Sequence, residues 1–395
     1  MLEQKQTSLS PPASLQLAVR ILAVAIAVPT VIFLLRDLWP YWTQTLDRGQ
    51  PIGRDAYNFW TAARMCWEGQ CQAVYDLPAF TAHQEALIGP TGALNCFLYP
   101  PSALVLMFPL GGMAYPLALS VWSLIGLSAF VIAVAAPRFD RIALWLCLLS
   151  PMALFNLAMG QTGLLCAALL IGGLRLSGRQ PVLAGLLIGL LSFKPVLGVL
   201  IPVLLLWRRQ WITVVSASLT TLMLALLPVL LWGWDVWTAY IGQAMPLQRV
   251  VLHHGSGIGV WMIPSAFNSA RLLGFAIAPA YAVHAGFVMA AVALWGAYLW
   301  RTRKQAEVAR VDILLLATAT CLASPYIHNY DFSVVEGAIV LWVCSEAGQS
   351  HQGTDRAGLA VAVLWGVGLL SFMLNANVFP IAPLLMLLAL WGLSV

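Results

Sequence analysis

Long apolar stretches, separated by short polar breaks, run along almost the whole chain. The apolar runs lie at 15–38, 99–136, 141–158, 162–175, 181–193, 195–207, 211–231, 279–300, 311–323, 332–345, 357–374 and 379–394. A helix needs about 20 consecutive apolar residues to cross a bilayer, so the longer runs predict membrane-spanning helices and the shorter ones tilted or half-length helices. We therefore expect an all-α, polytopic transmembrane helical bundle of about 11–13 helices. Residues 1–395 are expected to form this single integral membrane domain.

The basic residues predict which helix ends face the cytoplasm. If the N-terminus is cytoplasmic and the run 99–136 crosses once, kinked between Pro109 and Pro116, 13 of the 20 Lys and Arg residues lie inside and six outside. A bias of this size sets the orientation. Two long loops, about 39–98 and about 232–278, are then external, and we expect short interfacial helices in them. The predicted location is a bacterial inner membrane, with the site facing the periplasm or exterior.

Composition agrees with a membrane protein. Hydrophobic residues make up 61% of the chain and charged ones 9%, which leaves too few polar groups to cover the surface of a soluble protein. The formal charge of +5 comes from basic residues scattered at helix ends. It therefore reflects membrane orientation, and no nucleic-acid partner is expected.

Several familiar motifs do not occur in the sequence. A phosphate-binding GxxxxGK[ST] loop, a GxSxG nucleophile turn, an HExxH zinc motif and a CxxC pair are all missing, which argues against ATP-driven transport within this chain and against a metal site. Cys66, Cys71 and Cys96 share the first external loop. A single disulfide among them requires that this loop face an oxidising compartment, and the sequence leaves open both whether it forms and which two residues pair.

Asp55 is the first candidate for chemistry. It stands at the beginning of a segment in which aromatic residues recur at helical spacing, with polar residues on the other side. This pattern predicts an interfacial helix with a carboxylate at its N-terminal end, where the helix dipole favours negative charge. The alternative is that Asp55 serves only as the N-cap of that helix.

Lys194 is the second candidate. It lies between two apolar runs and is followed by Pro195, which breaks a helix and frees backbone groups. A charged residue at membrane depth usually faces a cavity or a partner, and an ammonium at a helix break suits a phosphate group. The alternative is a lysine whose head group reaches up to the interface.

Other polar residues gather at the same predicted face. The turn at 325–331 contains His328, Tyr330 and Asp331, which could supply an acid, a base or a phosphate ligand. The second long loop contributes His253 and His254. A polar turn that only caps two helices is the alternative for 325–331.

In their order along the chain, these pieces resemble a known pattern. An early Asp, an aromatic-Pro-Pro helix start, a Gly-Gln turn, a Lys-Pro break and a late Ser-Pro turn with His and Tyr are similar to membrane glycosyltransferases of the GT-C superfamily, and most of all to glycosyltransferase family 87. The resemblance covers about residues 15–345 and is carried by Asp55 with Tyr57 and Ala62, Gly69, Tyr75, Tyr99-Pro100-Pro101, Pro109-Leu110, Gly160-Gln161, Ala184-Gly185, Lys194-Pro195, Ser324-Pro325, His328 and Tyr330.

The resemblance implies a GT-C fold and an inverting transfer of a hexose, mannose above all, from a polyprenyl-phosphate donor to a glycolipid or cell-envelope glycan. It implies that Asp55 is the general base. The donor phosphate would be bound by five residues: Lys194, His328, Tyr99, Gln161 and Tyr330. His253, His254 and Asp331 are secondary or acceptor candidates, and no metal or other cofactor is expected.

Two other functions remain open from the sequence. A lipid or oligosaccharide transporter would place its charges near the bilayer midplane and often shows a repeated half. A polysaccharide polymerase or ligase would also work at the external face. The early Asp ahead of Tyr99-Pro100-Pro101 favours the glycosyltransferase.

Overall fold

Helices follow the predicted apolar runs closely. The computed structural model describes residues 53–88, 96–344 and 355–395, and these ranges contain helices and no strand. The helices are α1 Arg54–Trp67, α2 Leu77–Ile88, α3 Pro101–Gly111, α4 Tyr115–Ala135, α5 Arg141–Leu148, α6 Pro151–Met159, α7 Gly163–Leu176, α8 Pro181–Leu190, α9 Ile201–Trp207, α10 Trp211–Trp232, α11 Asp235–Ala239, α12 Met245–His254, α13 Ile258–Trp261, α14 Ala266–Leu272, α15 Ile277–Arg301, α16 Arg310–Ala323, α17 Ser333–Val343, α18 Asp355–Ala376 and α19 Ala382–Ser394. The run predicted at 15–38 lies outside the described residues.

Four of these helices are long and apolar enough to cross a bilayer. They are α4, α10, α15 and most of α18, and the bent pair α5–α6 makes a fifth span if it counts as one. The remaining apolar helices are shorter, as predicted for tilted or half-length elements. The all-α transmembrane bundle expected from the sequence is therefore confirmed.

Proline residues produce the breaks. The run 99–136 divides into α3 and α4, with Pro101 in the first turn of α3 and Pro116 in the first turn of α4. Pro151 likewise begins α6, which bends by 47° away from α5. Proline lacks a backbone N–H and fits the first turn of a helix, where no intrahelical bond is lost. The break predicted in the run 99–136 is confirmed.

Small residues bring α8 and α10 into close contact. A Cβ atom on Gly185 would lie 2.3 Å from the Cβ of Ser216, and one on Gly189 would lie 2.4 Å from the Cβ of Thr220. Only hydrogen fits at either position. Such spacing of glycines at i and i+4 lets two helices approach closely within a membrane.

A buried ion pair links neighbouring helices at the end of the bundle where α9 and α15 end. Arg208 and Asp312 are both fully buried, and Nε and Nη2 of Arg208 donate to the two carboxylate oxygens at 3.0 and 2.9 Å. The hydroxyl of Tyr298 also donates to Asp312 at 2.8 Å. From the sequence, Arg208 is one of the 13 basic residues predicted on the cytoplasmic side. In the structure it joins the ends of α9, α15 and α16.

The predicted helix after residue 53 is present as α1, but it does not lie with one face exposed. Asn58 and Thr61 are buried together with Tyr57 and Trp60, because α1 packs against α3 and α4 instead of resting on the bundle. A disulfide joins Cys66, near the C-terminal end of α1, to Cys71. Cys96 is a free thiol.

Candidate active site

The carboxylate of Asp55 is held in place without capping its helix. The N-cap of α1 is Gly53, in a left-handed conformation with φ 74°, and no side chain caps the helix there. The interpretation of Asp55 as an N-cap is therefore wrong. Its side chain is 17% exposed, and Oδ1 lies 3.7 Å from Nε of Arg54. A carboxylate in this position is ordered, yet it can still be reached from outside.

Gln161 orients that carboxylate. Its Nε2 atom donates to Oδ2 of Asp55 at 2.8 Å. Gly160, with φ 63°, ends α6 in the left-handed conformation, and a Cβ atom there would lie 2.4 Å from the Cβ of Ala56. Glycine at 160 is thus what lets the turn approach α1 closely enough for Gln161 to reach Asp55.

Lys194 lies at the predicted helix break. Two short 3₁₀ turns, Leu191–Phe193 and Pro195–Leu197, flank it. Its ammonium group is buried and forms an ion pair with Asp331, which is fully buried. The second carboxylate oxygen of Asp331 accepts the backbone N–H of His328 at 3.2 Å. Lys194 is therefore an internal residue with a carboxylate partner, and its head group does not reach out to the interface.

Aromatic rings and a hydroxyl complete the surroundings of the ammonium group. Nζ of Lys194 lies 4.6 Å from the ring centre of Tyr330 and 5.6 Å from that of Tyr99, distances at which a cation is attracted by the face of a ring. Thr162 Oγ1 lies 3.4 Å from Nζ and 3.1 Å from the hydroxyl of Tyr99. We call Asp55, Tyr99, Gln161, Thr162, Lys194, His328, Tyr330 and Asp331 the polar cluster.

His328 lies beside Tyr330 in the polar cluster. Its ring stacks on that of Tyr330 with the centres 5.1 Å apart, and its Nδ1 lies 3.2 Å from the carbonyl of Tyr326. Because a carbonyl only accepts, Nδ1 carries the proton and Nε2 of the neutral ring is an acceptor. Burial lowers the pKa of His328 to about 4, against the opposing effect of Asp331. The ring is therefore neutral at pH 7 until an anion arrives to favour its protonated form.

Comparison with known proteins assigns the chain to a family. A model of glycosyltransferase family 87 matches residues 97–325. The chain belongs to glycosyltransferase family 87. A search of curated proteins and a search of solved structures each returned no match. The protein is accordingly a glycosyltransferase with several membrane-spanning helices.

The matched range contains Tyr99, Gln161 and Lys194. Asp55 precedes this range and His328 follows it, but both are tied to it in the structure. Gln161 donates to Asp55, and the backbone N–H of His328 donates to the carboxylate that pairs with Lys194. The residues that carry the resemblance to family 87 thus lie together at one end of the bundle.

Asn156 is a residue of this site that sequence reasoning missed. It is buried in α6, where its Nδ2 donates to the carbonyls of Met152 at 2.7 Å and Tyr330 at 2.9 Å. Its Oδ1 accepts the N–H of Gly163 at 2.8 Å. One side chain therefore fixes the turn that carries Gln161 to the turn that carries Tyr330. The available signal was a polar residue within an apolar run, and a similar signal singled out Lys194.

Two of the predicted residues lie elsewhere. His253 and His254 end α12 in the second long loop, and Nε2 of His253 is 2.9 Å from the hydroxyl of Tyr281, which belongs to α15. Asp331 is within the polar cluster, but both of its oxygens are engaged there. Within the polar cluster, Asp55 is thus the accessible carboxylate and Asp331 is the partner of Lys194.

Proposed function

We propose that this glycosyltransferase transfers a hexose, with inversion, from a polyprenyl-phosphate sugar to a hydroxyl group of a glycolipid or cell-envelope glycan. Mannose is the sugar we expect first. The observation that carries the proposal is the pair of adjacent residues Gln161 and Thr162. The side chain of Gln161 holds Asp55, while the hydroxyl of Thr162 contacts Lys194. A carboxylate and a buried cation are thereby fixed on the two sides of one turn.

In the proposed reaction the acceptor oxygen attacks the anomeric carbon of the sugar and its proton passes to Asp55. The bond between the anomeric carbon and the phosphate oxygen breaks, and the polyprenyl phosphate leaves with the electron pair. A phosphate needs no proton to leave, so the requirement is for positive charge close to it. Lys194 supplies that charge, supported by the hydroxyls of Tyr99 and Thr162. We expect no metal to be needed.

His328 gains a role when the phosphate is present. The negative charge of the phosphate favours the protonated ring, in which Nε2 becomes a second donor. The ring is already oriented for this by its contact with Tyr326 and its stacking on Tyr330. Donor binding is therefore expected to be accompanied by proton uptake at His328.

The disulfide supports the placement of the site at the external face. Cys66 and Cys71 belong to the chain segment that carries Asp55, and disulfides persist in oxidising compartments such as the periplasm. The counts of Lys and Arg on the two sides point the same way. We propose a bacterial inner membrane with the polar cluster open to the exterior.

The test is incubation of the purified protein with radiolabelled polyprenyl-phosphate sugars and membrane glycolipids, with and without a chelator. Chromatography should show a new labelled glycolipid, and nuclear magnetic resonance should show an inverted anomeric configuration. Vesicle translocation of the label without a new glycosidic bond would favour a transporter instead. A product formed only from nucleotide sugars would overturn the proposed donor.

A further inference from the structure

A cluster of basic side chains in the second long loop has no part in the site described above. Arg249, His253 and His254 belong to α12, and Arg271 to α14. Arg249 and His253 are four residues apart and therefore lie on the same side of α12. We call these four residues the basic patch.

The basic patch is not neutralised by the residues around it. The charged groups that act on His253 are all cationic, and burial together with His254, Arg249 and Arg271 lowers the pKa of His253. Asp235 is the only acidic residue between positions 232 and 278, and it lies ten residues before the start of α12. Like charges held together without a counter-charge are costly unless an anion joins them.

The guanidinium groups of the patch differ in what they already bind. Arg271 donates to the carbonyls of Phe275 at 2.6 Å and His253 at 3.2 Å, which fixes α14 to the end of α12. Arg249 is exposed, and within the described ranges no ion pair includes it. Arg249 and the exposed imidazole of His254 are thus the groups open to a ligand, whereas Nε2 of His253 already contacts the hydroxyl of Tyr281.

The surroundings of the patch are apolar and exposed, and they lie where the loop joins two membrane spans. The loop connects the end of α10 to the start of α15. Met245, Val250 and Phe275 are 44%, 53% and 45% exposed. Exposed apolar side chains beside cations are typical of segments that lie in the headgroup region of a bilayer.

We propose that the basic patch binds the phosphate of an anionic membrane phospholipid. Negative charge on the headgroup complements Arg249 and favours protonation of the neighbouring imidazole rings, while the exposed apolar side chains contact its acyl chains. Gln248, the neighbour of Arg249, donates to the carbonyl of Leu98, which precedes Tyr99. A bound lipid would therefore hold the second loop beside the polar cluster. This inference does not depend on the identity of the sugar donor.

The test compares lipid binding to two variants of the full-length protein by native mass spectrometry, with phosphatidylglycerol or phosphatidylcholine added. One variant is R249Q/H253Q/H254Q. The control is R301Q/R303Q/R356Q, which removes exposed arginines near the far end of α15. Removing one cation from an anionic lipid surface weakens binding about fivefold. We expect at least that loss of phosphatidylglycerol binding in the patch variant, little change in the control, and weak phosphatidylcholine binding throughout.

Three results would overturn the inference. Equal binding of the two lipids to the unaltered protein would remove the role of headgroup charge. An equal loss in the control variant would show that total charge, not the patch, attracts the lipid. Displacement of phosphatidylglycerol by millimolar inorganic phosphate would assign the patch to a free anion. An unchanged thermal transition in each variant confirms that a loss of binding does not reflect unfolding.

Discussion

Replacing Asp55 with Asn tests the mechanism most directly. The change keeps the size of the side chain and leaves one oxygen to accept from Gln161, which donates to Oδ2 at 2.8 Å. The amide cannot take a proton from the acceptor hydroxyl. A positioned general base contributes roughly 10²- to 10⁴-fold, so transfer should fall by that factor, or about 3–5 kcal/mol of transition-state stabilisation.

The fold should tolerate this substitution. Asp55 does not cap α1, because the N-cap is Gly53 and no side chain caps the helix there. Its ion pair with Arg54 spans 3.7 Å at a partly exposed position, where such pairs contribute about 0–1 kcal/mol. The predicted loss of activity is thus several times larger than the predicted loss of stability.

The assay is single-turnover transfer from a radiolabelled polyprenyl-phosphate sugar, with donor binding measured separately. Asp76→Asn is the matched control, since Asp76 accepts the N–H of Ala79 at 2.9 Å in the first turn of α2 and Asn caps a helix equally well. Transfer should survive in the control. Turnover of Asp55→Asn within a few-fold of the unaltered protein would refute the assignment of Asp55 as the base.

Replacing Gln161 with Ala gives a second test of the same mechanism. Gln161→Ala removes a hydrogen bond to a charged acceptor, which is commonly worth about 1.5–3 kcal/mol. If Gln161 acts by orienting Asp55, its removal should add little once Asp55 is already Asn, because groups that act as a unit are not additive. Additive losses would place Gln161 on the donor phosphate, as the family resemblance implies.

Three further predictions concern charge and buried amides. Lys194→Ala should raise the KM for the lipid donor, and Lys194→Arg should recover part of the activity, because charge is retained although the geometry differs. Arg208→Gln should lower stability by about 3–5 kcal/mol, since Asp312 would be left as a buried carboxylate without its partner; thermal unfolding in detergent measures this. Asn156→Asp should lower kcat at temperatures at which the variant is still folded, because Asn156 holds the turn of Gln161 against the turn of Tyr330.

Each of these has an outcome that contradicts it. An unchanged donor KM in Lys194→Ala would remove the phosphate from that ammonium. For Arg208 the control is Arg209→Gln, an exposed neighbour whose substitution should leave unfolding unchanged. Equal thermal shifts in the two arginine variants would mean that the buried ion pair does not hold the helices together.

The local pattern of the sequence was enough to predict most of the helices and the breaks before α4 and at Lys194, but not the 47° bend that divides the run 141–158. Pro116 and Pro195 each stand in the first turn of a new helical segment, where the missing N–H costs no intrahelical bond. The pairing of side chains was not readable in the same way. Lys194 and Asp331 are 137 residues apart, and Arg208 and Asp312 are 104 apart. Periodicity describes one helix at a time and carries no information on which buried charges meet.

In the candidate site, too, the sequence indicated the residues but not the contacts between them. The residue types and their order singled out Asp55, Lys194 and His328 as candidates, and the family resemblance assigned Gln161 to the phosphate. The structure places it on Asp55. The close approach of Gly160 to Ala56 brings the side chains of Gln161 and Asp55 together. That approach results from helix packing, which the sequence pattern does not reveal.

Gln161 contacts Asp55 and Thr162 contacts Lys194, and these two contacts require an irregular turn between α6 and α7. Adjacent residues of a helix point only about 100° apart, whereas here one side chain reaches α1 and the next reaches Lys194. An irregular turn inside an apolar bundle needs partners for its backbone groups. Asn156 provides them, since its carbonyl accepts the N–H of Gln161 at 2.9 Å and its side chain accepts that of Gly163.

Asn156→Asp keeps the acceptor for Gly163 but turns the donor to Met152 and Tyr330 into an oxygen that faces two carbonyls. Each buried bond lost costs about 1–3 kcal/mol. Asn375→Asp is the matched control, because Asn375 is also buried and its Nδ2 donates to the carbonyls of Trp261 and Ile263. Both variants should unfold at lower temperature. If Asn156 positions the two halves of the site, only its variant should lose kcat while still folded, and equal kcat values in the two variants would reduce Asn156 to a purely structural residue.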